Sequence, residues 1–318
     1  MPSKTPDFWY KKSGLYAYAL LPFSWLYRIG FFISKLIQPT PYKSSIPVIC
    51  IGNAVAGGSG KTPTAIALMQ LIQENNLAQT PVFLTRGYGG KHKDAFVVEL
   101  DNYDVNKAGD EAYLLAQQAI TIVSTNRADG ARKAEEINAD LIIMDDGLFN
   151  NTLHKDTQFL VVDRSVDFGN GKVMPAGPLR APLKYTLPKV SAVIAIGERM
   201  RFDRPVFAAN ILPEDKKLNG DYIAFSGLGR PQKFFDTLSN LSANVIERHS
   251  FPDHHAFTAP EIKTLIESAT IKNATLITTE KDHVRIADKF KDKIKTLPIT
   301  LSFNDDNEVI NYLKASLK

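Results

Sequence analysis

Val48-Ile49-Cys50-Ile51-Gly52-Asn53-Ala54-Val55-Ala56-Gly57-Gly58-Ser59-Gly60-Lys61-Thr62 is an apolar run of strand length that breaks into glycines and ends on a Lys-Thr pair. A helical pattern over Thr62 to Gln73 follows, so the segment reads strand, glycine loop, helix. Glycines let backbone N–H groups turn inward around phosphate oxygens, and a helix N-terminus adds positive potential there. Lys61 is placed to reach the β/γ-phosphates and the Thr62 hydroxyl to bind Mg²⁺. Ala56, Gly57, Gly58, Ser59, Gly60, Lys61 and Thr62 are the expected nucleotide-binding residues. The general G-x-x-x-x-G-K-[ST] pattern has glycine where this chain has Val55.

Outward from that loop, apolar β-type runs alternate with helical patterns, which predicts a parallel sheet covered on both faces, an α/β fold of the P-loop NTPase type. The expected strands are Pro47 to Asn53, Pro81 to Thr85, Thr121 to Ser124, Leu141 to Met144, Phe159 to Val162 and Ala192 to Ile196. Expected helices include Glu111 to Ala119 and Ala128 to Ile137. After Arg204-Pro205 the rhythm restarts, with strands expected at Tyr222 to Phe225, Asn244 to Glu247, Thr275 to Thr278 and Leu297 to Leu301. The reading is three parts: a basic amphipathic segment at 1–43, a nucleotide-binding domain at 44–205 and a smaller α/β domain at 206–318.

The 318 residues are 44% hydrophobic and 23% charged, which excludes disorder and collagen-like structure. Cys50, the single cysteine, permits no internal disulfide, as expected of a reducing compartment. The net charge of +4 is concentrated: residues 1–43 hold six basic side chains against Asp7 alone, so the other 275 residues sum to −1. A diffuse nucleic-acid surface is not expected from that distribution.

Only 15 uncharged residues separate Lys12 from Arg28, with Pro22 among them. A helical membrane span needs about 20, so none is expected. A secretion signal is not expected because the one small-residue pattern, Ala17-Tyr18-Ala19, falls inside the apolar run. From Pro22, the residues Trp25, Leu26, Ile29, Phe32, Ile33 and Leu36 share one helical face, with Ser24, Arg28 and Lys35 on the other. Such a helix packs on a core or lies in the plane of a membrane surface.

A phosphate loop needs a carboxylate for its metal at the end of a neighbouring strand. Leu141-Ile142-Ile143-Met144-Asp145-Asp146-Gly147 supplies two, with the division of labour between Asp145 and Asp146 open. ATP is favoured over GTP, since no Asn-Lys-x-Asp guanine reader is correctly spaced. Three further clusters stand out. Thr85-Arg86-Gly87-Tyr88-Gly89-Gly90 puts a guanidinium and a ring on a glycine loop, suited to phosphate or sugar contact. Gly109-Asp110-Glu111 opens a helix, where Asp110 would serve as N-cap or as a functional carboxylate. Phe251-Pro252-Asp253-His254-His255 gathers titratable groups in the second domain, but its spacing does not match a zinc site.

These motifs in this order, together with Gly177-Pro178-Leu179-Arg180 and Thr279-Glu280-Lys281-Asp282, resemble the tetraacyldisaccharide 4′-kinase family, the lipid A 4′-kinases, over nearly the whole chain. The family's own loop does not keep the first glycine, so Val55 is compatible with it. Leu148-Phe149 departs from the family's usual Phe-Gln. The resemblance implies two α/β domains with the active site in the cleft. It also implies ATP-dependent phosphorylation of the 4′-hydroxyl of a lipid A disaccharide 1-phosphate, giving lipid IVA. The expected place is the cytoplasmic face of the bacterial inner membrane, with peripheral attachment to an anionic membrane surface and no nucleic-acid partner. By the same resemblance Asp110 is the base, His254 its partner and Lys61 the catalytic cation. Thr62, Asp145 and Asp146 hold Mg²⁺, and Arg86, Tyr88 and Arg180 are candidates for substrate contact. Two other classes fit the loop: a nucleotide-dependent switch or metallochaperone, although Ala56 stands where partitioning-type switches carry a lysine, and a kinase of a soluble small molecule.

Overall fold

The computed structural model describes residues 6–11, 14–37, 40–88, 90, 94–101 and 105–317. Lys4, Lys12 and Gly89 of the stretches named above lie outside them. The chain forms two units, one made of Pro6–Ile211 with Leu301–Lys318 and the other of Leu212–Thr300.

The larger unit begins with helices α1 (Leu15–Ala19) and α2 (Leu21–Leu36) and strand β1 (Val48–Gly52). Helix α3 (Lys61–Glu74), strands β2 (Pro81–Thr85) and β3 (Phe96–Val97), and helices α4 (Val105–Ala108) and α5 (Asp110–Ala116) follow. Next come strand β4 (Thr121–Val123), helix α6 (Arg127–Glu136), strands β5 (Leu141–Asp145) and β6 (Thr157–Asp163), helix α7 (Leu183–Thr186) and strands β7 (Ala192–Ile196) and β8 (Val206–Pro213). The smaller unit carries β9 (Asp221–Ser226), α8 (Gln232–Asn240), β10 (Asn244–Ser250), α9 (Ala259–Ile271), β11 (Thr275–Thr279), α10 (Glu280–Val284), α11 (Asp288–Lys291) and β12 (Lys295–Leu297). Strand β13 (Ile299–Phe303) and helix α12 (Asp306–Ser316) end the chain.

The large sheet has the order β13-β8-β7-β6-β1-β5-β2-β4-β3. Pairings from β8 through β4 are parallel, and β3 is antiparallel to β4. β1, β2, β5 and β7 are buried at every position, as expected of continuous apolar runs covered on both faces. One face packs Leu68 and Ile72 of α3 together with Val309, Ile310 and Leu313 of α12; the other packs Ala131 and Ala134 of α6 against Val82 and Leu84. β1 lies between β5 and β6, with Ile51 registered beside Asp145, so the glycine loop and the paired carboxylates leave the sheet at the same end. In open α/β sheets ligands bind outside the carboxyl ends of the strands. Phe159 on β6 is fully buried, with ring centroids 6.3 Å from Phe207 and 5.7 Å from Tyr312. Phe159→Ala is expected to lower stability by about 3–5 kcal/mol, read as a drop in the urea midpoint of unfolding; an unchanged midpoint would contradict this packing.

The smaller unit is a parallel sheet of order β10-β9-β11-β12. Phe234, Phe235 and Leu238 of α8 cover one face and Ile262, Leu265 and Ala269 of α9 the other.

Three expectations need correction. The smaller domain does not run from 206 to 318: β8 belongs to the large sheet, and residues 301–318 return to the larger unit because α12 buries its apolar stripe there. The strand expected over Leu297 to Leu301 is two strands in two sheets, β12 and β13, divided at Pro298, which cannot donate a ladder hydrogen bond. Asp110 is not an N-cap. Gly109 holds that position at φ 85°, where a Cβ would collide with the Tyr88 carbonyl oxygen, so glycine is required and the Tyr88 loop abuts the start of α5.

Helix α2 turns its polar stripe inward. The buried Ser24 hydroxyl donates to the Val173 carbonyl at 2.8 Å and accepts from the Ala176 N–H at 3.1 Å. Lys35 donates to the Phe149 carbonyl at 2.8 Å. The apolar stripe is outward, with Trp25 61%, Leu26 65%, Ile29 52%, Ile33 53% and Leu36 84% exposed. Among the described residues no helix is long and apolar enough to cross a membrane.

Candidate active site

Gly60 turns the chain into α3 with φ 81°, a left-handed conformation in which any Cβ would also strike Ile196. That turn starts α3 at Lys61 and sets Thr62 against β5. The Thr62 hydroxyl donates to Asp145 Oδ2 at 2.9 Å, while Asp145 Oδ1 is buried with no hydrogen-bond partner. The Ser59 hydroxyl and Asn53 Oδ1 are likewise buried and unpartnered. Buried polar atoms are ordinarily satisfied, so three such atoms around one loop mark places that a ligand completes. A hydroxyl and a carboxylate oxygen, both hard oxygen donors, fit Mg²⁺.

The two carboxylates are held differently. Burial drives the Asp145 carboxyl upward, aided by the charges of Glu111 and Asp146 and opposed by Lys61 and the Thr62 hydrogen bond. Burial also acts on Asp146, but Lys61 and Arg180 outweigh it and bring that carboxyl down to about 2. Arg180 meets Asp146 through Nη1, at 3.1 and 3.3 Å from the two carboxylate oxygens, and Nη2, at 3.4 Å; Lys61 Nζ stands 3.8 Å from Asp146 Oδ2. Asp146 adopts φ 52°, an uncommon conformation for a residue with a side chain, at the sharp turn that follows β5.

The Gly177-Arg180 segment lies on the loop itself. The Ala56 N–H donates to the Pro178 carbonyl at 2.8 Å and the Arg180 N–H to the Ala54 carbonyl at 2.9 Å. Ala56 was expected to offer its N–H to phosphate; here that group serves the protein. Val55 forms a bridge with Leu179 and sits in the apolar cluster around Leu148 and Leu160, which accounts for a branched side chain where the general pattern has glycine.

Sequence reasoning missed Arg127. It opens α6, is buried, and donates from Nη1 to the Ser124 carbonyl at 2.5 Å. Burial lowers its pKa to about 10, with Asp146 and then Asp145 pulling it back up. The available signal was Asn126-Arg127 following β4 at the sheet end that carries Asp145. Arg86 and Tyr88, expected on a contact loop, are exposed.

Asp110 is buried at the first turn of α5, and its Oδ1 accepts from the Glu111 N–H at 2.9 Å. Helix polarity favours a carboxylate there. Glu111, its neighbour, acts electrostatically on Asp145, so the start of α5 belongs with the site. Lys61, Thr62, Asp145, Asp146 and Arg180 are thus brought together, with Asp110 close by in the same unit.

His254 is built by the smaller unit. It adopts φ 55°, and its N–H donates to the Gly227 carbonyl at 3.1 Å. The fully buried Asp282 accepts from the Gly227 N–H at 3.0 Å, the Ser226 hydroxyl at 3.1 Å, the Thr279 hydroxyl at 2.7 Å and Arg285 Nη2 at 2.6 Å. Arg285 also donates to the His255 carbonyl at 3.2 Å. The Thr279-Asp282 motif therefore clamps the two turns that present His254. His255 is engaged elsewhere, bonded to Glu261 at 3.1 Å and stacked on Phe251.

A family model described as tetraacyldisaccharide-1-P 4′-kinase, LpxK, matches residues 16–318. The chain is 41% identical over 313 residues to a tetraacyldisaccharide 4′-kinase of Paramagnetospirillum magneticum, covering 95% of each chain. It is 39% identical over 325 residues to that of Rhizobium meliloti, covering 96% of this chain and 92% of the relative. Its fold is similar to the crystal structure of LpxK from Aquifex aeolicus in complex with ATP, with a TM-score of 0.76 and 26% identity over 95% of this chain and 99% of the other. With a phosphate loop, a Thr62–Asp145 pair and ordered motifs along its whole length, this chain belongs to the tetraacyldisaccharide-1-P 4′-kinase family.

Proposed function

We propose that this kinase transfers the γ-phosphoryl group of ATP to the 4′-hydroxyl of a tetraacylated glucosamine disaccharide 1-phosphate, giving lipid IVA. The observation that carries the phosphoryl-transfer reading is the Thr62–Asp145 hydrogen bond between the first turn of α3 and the end of β5, with Asp145 Oδ1 buried and unpartnered. The loop Gly57 to Thr62 holds the phosphates, and Lys61 compensates charge on the group being transferred. Thr62 and Asp145, with Asp146 beside them, would hold Mg²⁺, which when bound would supply positive charge against the phosphate oxygens. A sugar hydroxyl is a poor nucleophile at neutral pH, so a carboxylate within hydrogen-bond reach is needed; Asp110 takes that proton and His254 supports it.

The lipid character of the acceptor is supported by family membership and by the outward apolar stripe of α2. We place the enzyme peripherally at the cytoplasmic face of the inner membrane, on an anionic surface. Trp25→Ser, Ile29→Ser and Ile33→Ser together are expected to weaken partition into phospholipid vesicles by at least about tenfold, since each removes a large buried contact with the acyl region. Unchanged partition would return α2 to a purely internal role.

Transfer of label from ATP to the lipid disaccharide, set against water-soluble sugars, tests the whole reading. Label in the lipid alone is expected. Equal labelling of soluble sugars would make this a soluble-substrate kinase. ATP turnover with no labelled acceptor would favour a nucleotide-dependent switch.

A further inference from the structure

Between β6 and α7 the chain runs from Phe168 to Ala181 without a helix or strand of its own, and the phosphate loop leans on this stretch. One end of it is fixed to the loop. The Pro178 carbonyl accepts from the Ala56 N–H at 2.8 Å, the Arg180 N–H donates to the Ala54 carbonyl at 2.9 Å, and Leu179 bridges to Val55. The Arg180 side chain then meets Asp146 at 3.1 Å. A segment with no ladder or helical bonds must settle its main-chain groups across its own turns or on neighbouring elements.

Across its turns, the Met174 N–H donates to the Leu179 carbonyl at 3.0 Å and the Leu179 N–H to the Lys172 carbonyl at 3.1 Å. Other bonds come from the start of the chain. The Trp9 indole N–H donates to the Pro175 carbonyl at 2.9 Å, and the Trp9 carbonyl accepts from the Asn170 N–H at 2.7 Å. On α2 the Ser24 hydroxyl settles two main-chain groups at once, donating to the Val173 carbonyl at 2.8 Å and accepting from the Ala176 N–H at 3.1 Å. Trp9 and Ser24 are both buried, so water does not take over their bonds.

The two ends are close in the chain. Ala176 stands two residues before Pro178, and Val173 is bridged to Leu179, so a displacement at the Ser24 end reaches both loop contacts. Loss of the hydroxyl orphans a buried carbonyl and a buried N–H, and the segment regains their bonds by shifting toward water. Groups that hold a ligand must stay within about 0.5 Å of their working geometry, so a small shift is felt in binding.

We propose that Ser24 and the Trp9 indole are positioning residues for the nucleotide site: they hold the 173–180 segment so that its backbone keeps the phosphate loop and Arg180 in place. These roles rest on Gly57 to Thr62 being the phosphate-binding loop and are independent of the acceptor that the kinase uses.

The test uses the full chain and its Ser24→Ala and Trp9→Phe forms. Trp9→Phe keeps an aromatic ring and removes the indole N–H, so it carries the test if Ser24→Ala does not fold. Affinity for a non-hydrolysable ATP analogue is measured by calorimetry with neither acceptor nor vesicles present, well below each variant's melting temperature, so that only folded protein is read. KM is then measured for ATP and for the lipid disaccharide. Ser34→Ala is the control, since that hydroxyl lies on the same helix and donates to the Phe31 carbonyl within it at 2.7 Å.

The dissociation constant is expected to rise about threefold to tenfold in both variants, the size of one hydrogen bond's net effect. KM for ATP rises in step, KM for the disaccharide holds, and the control matches the wild type. A rise in KM for the disaccharide with nucleotide affinity unmoved would confine Ser24 to docking the helix and overturn the proposal. So would unchanged affinity in both variants, or an equal loss in the control. A wild type that binds no ATP analogue would instead defeat the nucleotide reading of the loop, and these roles with it.

Discussion

Asp110→Ala is expected to lower kcat by about 10² to 10⁴, the range for a positioned general base, while ATP affinity changes little. The two parts of that expectation have different origins. Asp110 sits at the first turn of α5, one residue past Gly109, whose positive φ and close approach to the Tyr88 carbonyl leave no room for a side chain, and the Asp110 side chain is buried. The phosphate loop is fixed by other bonds, to Pro178 and Arg180, which do not involve α5. Loss of the carboxyl therefore removes a proton acceptor and leaves the nucleotide's contacts standing. Asp110→Asn sharpens the result, because an amide oxygen still accepts from the Glu111 N–H and preserves the helix start. Equal losses in Ala and Asn would locate the effect in basicity; recovery in Asn would reduce Asp110 to a structural role. The histidine enters as a cycle. If His254 supports Asp110, the double variant costs little more than Asp110→Ala alone, whereas independent roles multiply.

Much of this site was legible because its chemistry is local in sequence. β1 announces itself as an unbroken apolar run, the glycines that follow leave few alternatives, and β5 ends on its two aspartates. What escaped was decided by packing over long sequence separations. Val206–Pro213 is apolar enough to be a strand, but Pro205 before it looked like a boundary; its membership of the large sheet is settled by pairing with β7. Residues 301–318 looked like the natural end of the second domain, and only the burial of Val309, Ile310 and Leu313 with Leu68 returns them to the first. On α2 the period revealed which residues share a face without revealing which face the protein covers, and the decisive contact is one buried hydroxyl, Ser24 on Val173. Arg127 was invisible for the same reason: a basic residue at a helix start is commonplace until the fold buries it near two carboxylates.

Lys61→Ala is expected to lower kcat by about 10² to 10³, the range for losing one preorganised group that meets developing charge, and to weaken ATP binding as well. The ammonium is held in the structure by a long contact, 3.8 Å from Asp146 Oδ2, while Asp146 keeps closer bonds to Arg180. Lys61 is therefore only loosely tied down and can move onto a phosphate without abandoning a close hydrogen bond, whereas Arg180 holds Asp146 by direct hydrogen bonds as well as by charge. The consequence is an asymmetry between two neighbouring cations. Removing Lys61 leaves Asp146 paired and the fold unharmed, so thermal stability holds while turnover falls. Removing Arg180 leaves a partly buried carboxylate facing one distant ammonium, so stability falls too. Lys61→Arg restores little, because a planar fork does not replace a compact ammonium at the mouth of a glycine loop. Full turnover in Lys61→Ala would refute the phosphate contact, and matched stability losses in the Lys61 and Arg180 variants would refute the asymmetry.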